Sequence, residues 1–173
     1  MTRTVAMGLV LSAFLAPAAF AADAMGGKVQ AELVSSLEEA VNKVVQLAEA
    51  IPAEKFAWRP APGVRSVMEV VGHVSGGNYL FSKLLGNPNP AAGTDPEKET
   101  DKAKAIAALK ASLEHLKKTE LAVSDADLDK TADFFGRPAT QRSLMVRAAG
   151  HAHEHLGQLI AYARSNGVKP PWS

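Results

Sequence analysis

The sequence predicts an all-α protein, a four-helix bundle. Three features carry that expectation. Four long segments place apolar residues at three- and four-residue spacing, the signature of a helix with one buried face. Each segment is bounded by a cap or a breaker. No stretch shows the two-residue alternation of a half-buried strand.

The first helix is expected over about Lys28–Ala50, with Val29, Leu33, Leu37, Val41, Val44, Val45 and Ala48 as its stripe; Ile51-Pro52 ends it. Pro60, Pro62 and Gly63 make the next stretch a loop, with Phe56 and Trp58 packing inward. Ser66 followed by Glu69 forms a capping box, which opens a second helix running to about Leu85. Its apolar set is Val67, Val70, Val71, Val74, Leu80, Phe81 and Leu84. Gly76 and Gly77 each weaken it by roughly 1 kcal/mol relative to alanine, which fits either a close approach beside His73 or a simple kink. After the turn-rich segment from Gly86 to Pro96, a third helix spans about Lys98–Val123, carried by Ile106, Leu109, Leu113 and Leu116. Residues Asp125 to Pro138 read as irregular, with Phe134 and Phe135 plugging the core. Thr140 caps a fourth helix, which stops at Asn166-Gly167 before Pro170-Pro171.

Ahead of the bundle, residues 1–21 are built like a secretory signal peptide. Arg3 supplies the cationic start, Val5 to Phe14 the apolar core, and Ala16-Pro17-Ala18-Ala19-Phe20-Ala21 a small-residue cleavage region. A retained membrane anchor is the rival, but the apolar run falls short of the roughly 20 residues a span needs and Pro17 interrupts it. Cleavage after Ala21 leaves a single domain, residues 22–173, with a periplasmic or secreted destination and no integral membrane segment. Without cysteine, lipid attachment, disulfides, thiolate nucleophiles and sulfur ligands are all excluded. Loss of Arg3 balances the remaining bases and acids, so charge gives no reason to expect nucleic acid as a partner. A homodimer is compatible with a bundle of this size, although no apolar stripe demands one.

His151 and His155 lie four apart, about one helical turn, and so share a face of the fourth helix. At about 100° per residue, Gln158 and Tyr162 fall on the same ridge, which Leu144 and Ala148 extend into the interior. His153 points elsewhere, and Glu154 does not follow the first histidine as in the HExxH of zinc proteases. A third imidazole, from His73 on the second helix, would complete a metal site with an open position. The plainer alternatives are a surface histidine pair and a satisfied core histidine. A metal removes the cost of burying unpaired imidazoles. His115, among lysines and glutamates, reads as solvent-exposed.

Trp58-Arg59-Pro60-Ala61-Pro62-Gly63, then Ser66, Gly72-His73-Val74 and His151-Ala152-His153-Glu154-His155-Leu156-Gly157-Gln158 resemble the DinB-like superfamily, and Tyr162 to Pro171 continues the likeness. The resemblance covers the whole chain after the signal, although the middle, from about Asn87 to Arg137, adds almost nothing. It implies a four-helix bundle with an uncommon helix order and a divalent metal held by His73, His151 and His155. It also implies thiol S-transferase or isomerase chemistry in some relatives, with the metal binding a cofactor thiol. An export signal departs from that pattern and puts a cytosolic thiol in question.

Three neutral imidazoles suit zinc, nickel, cobalt or ferrous iron, with zinc or nickel expected here. Two functions follow. One is a metal-dependent transferase or hydrolase acting on a small molecule, with Gln158 and Tyr162 orienting the ligand or supporting the histidines. The other is a non-catalytic, metal-stabilised binding or stress-related module of the cell envelope.

Overall fold

The computed structural model describes residues 27–90 and 93–173; the expected signal peptide lies outside them. Four helices form as expected: α1 Lys28–Ala50, α2 Val67–Leu84, α3 Lys102–Leu121 and α4 Gln141–Ser165. Their order in space is the important property. Helix α1 packs chiefly on α4 and α3, and α2 chiefly on α3 and α4. Going around the bundle the order is therefore α1, α3, α2, α4. Helices consecutive in sequence, α1 with α2 and α3 with α4, sit on the diagonals. Long connections are needed to cross the ends of the bundle, and this arrangement makes α2 and α4 neighbours.

Local sequence explains most boundaries. The capping box is complete, with the Glu69 amide donating to Ser66 Oγ at 3.2 Å and the Ser66 amide donating to Glu69 Oε2 at 2.6 Å. Thr140 Oγ1 accepts from the Ser143 amide at 3.1 Å. Gly167 takes the left-handed conformation, φ +75°, that terminates α4. The expected start of α3 at Lys98 is corrected to Lys102. Asp101 caps it by accepting from the Lys104 amide at 2.9 Å, and Pro96–Lys98 forms a separate 3-10 turn.

The core draws on all four helices, with Leu37, Val41, Val74, Leu109, Leu116 and Leu159 among its fully buried members. Phe56 is buried and Trp58 packs on its edge. The irregular loop before α2 is pinned by main-chain bonds from the Val67 amide to Trp58 O and from the Met68 amide to Phe56 O. Val29 and Leu80, expected inside, are exposed because each lies at the solvent margin of its helix.

A further correction concerns the segment before α4. It contains an antiparallel hairpin, β1 Thr131–Phe134 and β2 Arg137–Thr140, with Phe134 opposite Arg137. The strands are too short to show alternation, and Pro138 disguises the second. Phe135 and Gly136 form the two-residue turn, both with positive φ, +53° and +80°. Phe134 stacks on Phe81 with ring centroids 6.2 Å apart, whereas Phe135 is 77% exposed at the tip and is no core plug. Asparagine tolerates this conformation better than phenylalanine does. Phe135→Asn should therefore raise stability by about 0.5–1 kcal/mol, net of the lost edge contact with Phe134. Chemical denaturation reads the change.

Glu120, near the end of α3, is fully buried, and neither carboxyl oxygen has a hydrogen-bond partner among the described residues. Burial pushes its pKa up to about 8, so the side chain is neutral at pH 7. Because the folded protein holds this proton more tightly than the unfolded chain, the associated stability is full below the ordinary value of 4.5. It declines as pH rises through about 8. Glu120→Gln should flatten the stability profile between about pH 5 and 9, with a gain of order 2 kcal/mol at the alkaline end. Urea unfolding across that range measures it.

Candidate metal centre

The diagonal helix order brings His73 of α2 against His151 and His155 of α4. Candidate ligand atoms of the three histidines all lie within 4.8 Å of one another, and His73 Nε2 is 3.2 Å from His151 Nε2. Nitrogens bound tetrahedrally to one ion at about 2.0–2.1 Å would be roughly 3.3 Å apart, so the His73–His151 pair already has the spacing and wider separations in the cluster would have to close by up to about 1.5 Å. His155 is 8% exposed, while His73 and His151 are half-buried and open one side of the cluster to solvent.

The surrounding hydrogen bonds decide which nitrogen of each ring is available. The Arg65 carbonyl can only accept, so the Tyr162 hydroxyl donates to it at 3.2 Å. Tyr162 Oη then accepts from Gln158 Nε2 at 2.8 Å, which turns Gln158 Oε1 toward His155 Nδ1, also at 2.8 Å. His155 must carry its proton on Nδ1, leaving the Nε2 lone pair free. From the 3-10 turn, Glu97 Oε1 accepts from Nδ1 of His73 on α2 at 2.6 Å, which leaves the His73 Nε2 lone pair facing His151. Two of the three imidazoles are thus fixed in a ligating tautomer. His151 donates from Nε2 toward His73 in this arrangement, so its proton would have to move to Nδ1 for that nitrogen to hold a metal.

Electrostatics agree with the donor set. Burial is the main cause that lowers His151 to about pKa 4, with the neighbouring histidines and Arg65 adding to it. Burial also lowers His155, outweighing the Gln158 hydrogen bond. Both rings are therefore neutral at pH 7, as metal ligation requires. Burial alone would raise Glu97, but hydrogen bonds from His73 and Arg65 outweigh it and hold the carboxyl below its ordinary range.

Glycines settle the packing around the cluster. A Cβ at Gly77 would stand 2.4 Å from His151 Cε1, and one at Gly72 would stand 2.4 Å from the Pro96 carbonyl oxygen. Gly77 therefore lets the His151 ring lie against α2, and Gly72 lets the 3-10 turn bring Glu97 to His73. Gly76 faces open space, so the close approach belongs to Gly77 alone. Of the remaining rings, Phe81 touches His151 edge-on at 6.1 Å, and Trp58 meets Tyr162 edge-on at 5.2 Å.

A profile of the DinB superfamily matches residues 36–159. The chain belongs to the DinB superfamily. This DinB-like chain is 32% identical to YjoA of Bacillus subtilis over 142 residues, 79% of this chain and 90% of that protein. The crystal structure of the DinB-like protein YjoA aligns with a TM-score of 0.64 at 27% identity, covering 80% of this chain and 93% of that one. A DinB-like protein from Bacillus cereus aligns with a TM-score of 0.68 at 20% identity, over 80% of this chain and 93% of that one. YfiT from Bacillus subtilis, described as a probable metal-dependent hydrolase with an unusual four-helix bundle topology, gives 0.64 at 17% identity, over 81% and 89%. At those last two identities the likeness is one of fold.

In this DinB-like chain His73, His151 and His155 converge, with Gln158 and Tyr162 behind His155. His153 is exposed and contacts Ser36 at 3.3 Å instead. His115 corrects its expectation. It is half-buried, 3.1 Å from the Asn87 carbonyl and tilted against Tyr79, because α3 packs closely on α2 there. The residues that sequence reasoning missed are Glu97 and Arg65. Both lie in connecting segments, and only the tertiary seat of the 3-10 turn on Gly72 joins them to the site.

Proposed function

We propose that this protein binds one divalent metal ion, zinc or nickel, through His73, His151 and His155 and uses it to activate a small molecule for hydrolysis. The observation that carries this reading is the pair of fixed tautomers. Glu97 and Gln158 hold two Nδ1 protons, which leaves Nε2 of His73 and of His155 as the donors in a cluster whose candidate ligand atoms lie within 4.8 Å of one another, with a solvent-open side. A structural bolt would need no open side. The described function of YfiT supports the same chemistry. A bound divalent ion supplies Lewis acidity, which lowers the pKa of water or of a thiol; transfer to a thiol is the runner-up reaction. The chain's own part is to hold the ligands, keep His155 oriented through Gln158 and Tyr162, and wall the site with Phe81.

A second reading, a non-catalytic metal-stabilised module, draws on a different observation. A cavity of about 1030 Å³ is lined by Phe56, Met68, Ile106 and charged neighbours but by none of the three histidines.

Elemental analysis of untagged protein, paired with melting curves before and after chelation, tests the shared site. About one equivalent of metal is expected, lost together with thermal stability in His73→Ala. Metal-dependent turnover of ester, amide or thiol-transfer probes then separates the two readings. We also propose export: intact mass of the natively produced protein should place its first residue at Ala22, and an uncleaved mass would count against it.

A further inference from the structure

We infer that Arg65 is the receiving group for an oxyanion, a carboxylate or phosphate, carried by the small molecule that binds at the three-histidine centre. The inference rests on the metal reading above and adds the class of ligand.

Arg65 is held from two directions. Its carbonyl accepts from Tyr162, and its Nε lies 3.2 Å from Glu97 Oε2, the same carboxylate whose other oxygen meets His73. The guanidinium is thus one carboxylate away from His73, and its positive charge also acts on both His151 and His155. Among the described residues, Nη1 and Nη2 of Arg65 have no hydrogen-bond partner, and the side chain is 44% exposed. Arg59 on the same loop differs: its two terminal nitrogens are taken by the Val64 carbonyl and Glu69.

Charge points the same way. Three neutral imidazoles leave a divalent ion fully uncompensated, Glu97 cancels one charge, and Arg65 restores it. A site with that surplus favours an anion. Two parallel N–H groups on a planar fork match a carboxylate or phosphate edge better than any neutral group. The rival is that Arg65 only steadies Glu97 behind His73.

Cobalt(II)-loaded full-length protein distinguishes them, because its visible spectrum reports ligands entering the open position. Inorganic phosphate serves as the anionic probe and imidazole as the neutral one, at saturating cobalt. Arg65→Gln should weaken phosphate at least 10-fold and leave imidazole within about 2-fold, in line with the loss of a charge-assisted bidentate contact. Arg65→Lys should recover part of the loss. Phosphate binding indifferent to Arg65→Gln would overturn the inference. So would equal weakening of both probes in Arg65→Gln, or its failure to hold cobalt, since each makes Arg65 a positioning residue. Absence of cobalt binding by the unaltered protein is a separate result, which overturns the metal reading and this inference with it.

Discussion

His151→Ala should lower divalent metal affinity by more than 100-fold while leaving the helical bundle folded. Loss of a residue behind a ligand typically costs 10–100-fold, and His151 is proposed as a ligand itself. The fold should tolerate the change because His151 is only half-buried, and the core beneath α4 is built from Leu144, Leu156 and Leu159. Removing it also relieves a ring that resists protonation, so the metal-free variant should be less sensitive to acid. In the unaltered metal-free protein, His151 has a folded pKa below its ordinary 6.5. Stability is therefore present above that value and falls as pH drops through about 4. Isothermal titration with zinc and nickel, alongside circular dichroism, checks both parts. Retained metal affinity in His151→Ala would refute the ligand assignment.

A paired substitution one residue apart should separate helix propensity from site geometry. Gly76→Ala places a methyl in open space and should stabilise α2 by about 1 kcal/mol with unchanged metal affinity. Gly77→Ala gains the same propensity, but its methyl would meet His151 Cε1 at 2.4 Å and Nδ1 at 2.9 Å. The ring cannot simply swing aside, because Phe81, His73 and His155 surround it. Metal affinity should fall at least 10-fold, an expected size set by the 10–100-fold cost of disturbing a ligand's support. Equal metal binding by the two variants would mean that the close packing of α2 on His151 does not position the ligand.

The fold was largely legible because its cues are local. Ser66 with Glu69, Thr140 and Asn166-Gly167 each act within one helical turn, and they marked boundaries that the structure keeps. The ridge of His151, His155, Gln158 and Tyr162 was legible for the same reason, being one face of one helix. His73 needed the resemblance as well as its own neighbourhood, since no periodicity links α2 to α4. Glu97 and Arg65 left no such trace. Their roles depend on a 3-10 turn seated on Gly72, a contact across 24 residues of chain that spacing cannot encode. The hairpin escaped notice because Phe135-Gly136 replaces the usual Asn-Gly turn, and burial of Phe134 depends on Phe81 from another helix.

The diagonal placement of consecutive helices means that the two halves of the polypeptide do not each own a centre. His73 lies in the first half and the pair on α4 in the second. Severing the main chain between α3 and the hairpin would leave each fragment short of a complete ligand set. Ligation would then be bimolecular, and apparent metal affinity would depend on fragment concentration. The ion would act as a chemical stitch, adding to the packing of α4 on α1 and α2, and adding or chelating it would tighten or loosen the two pieces.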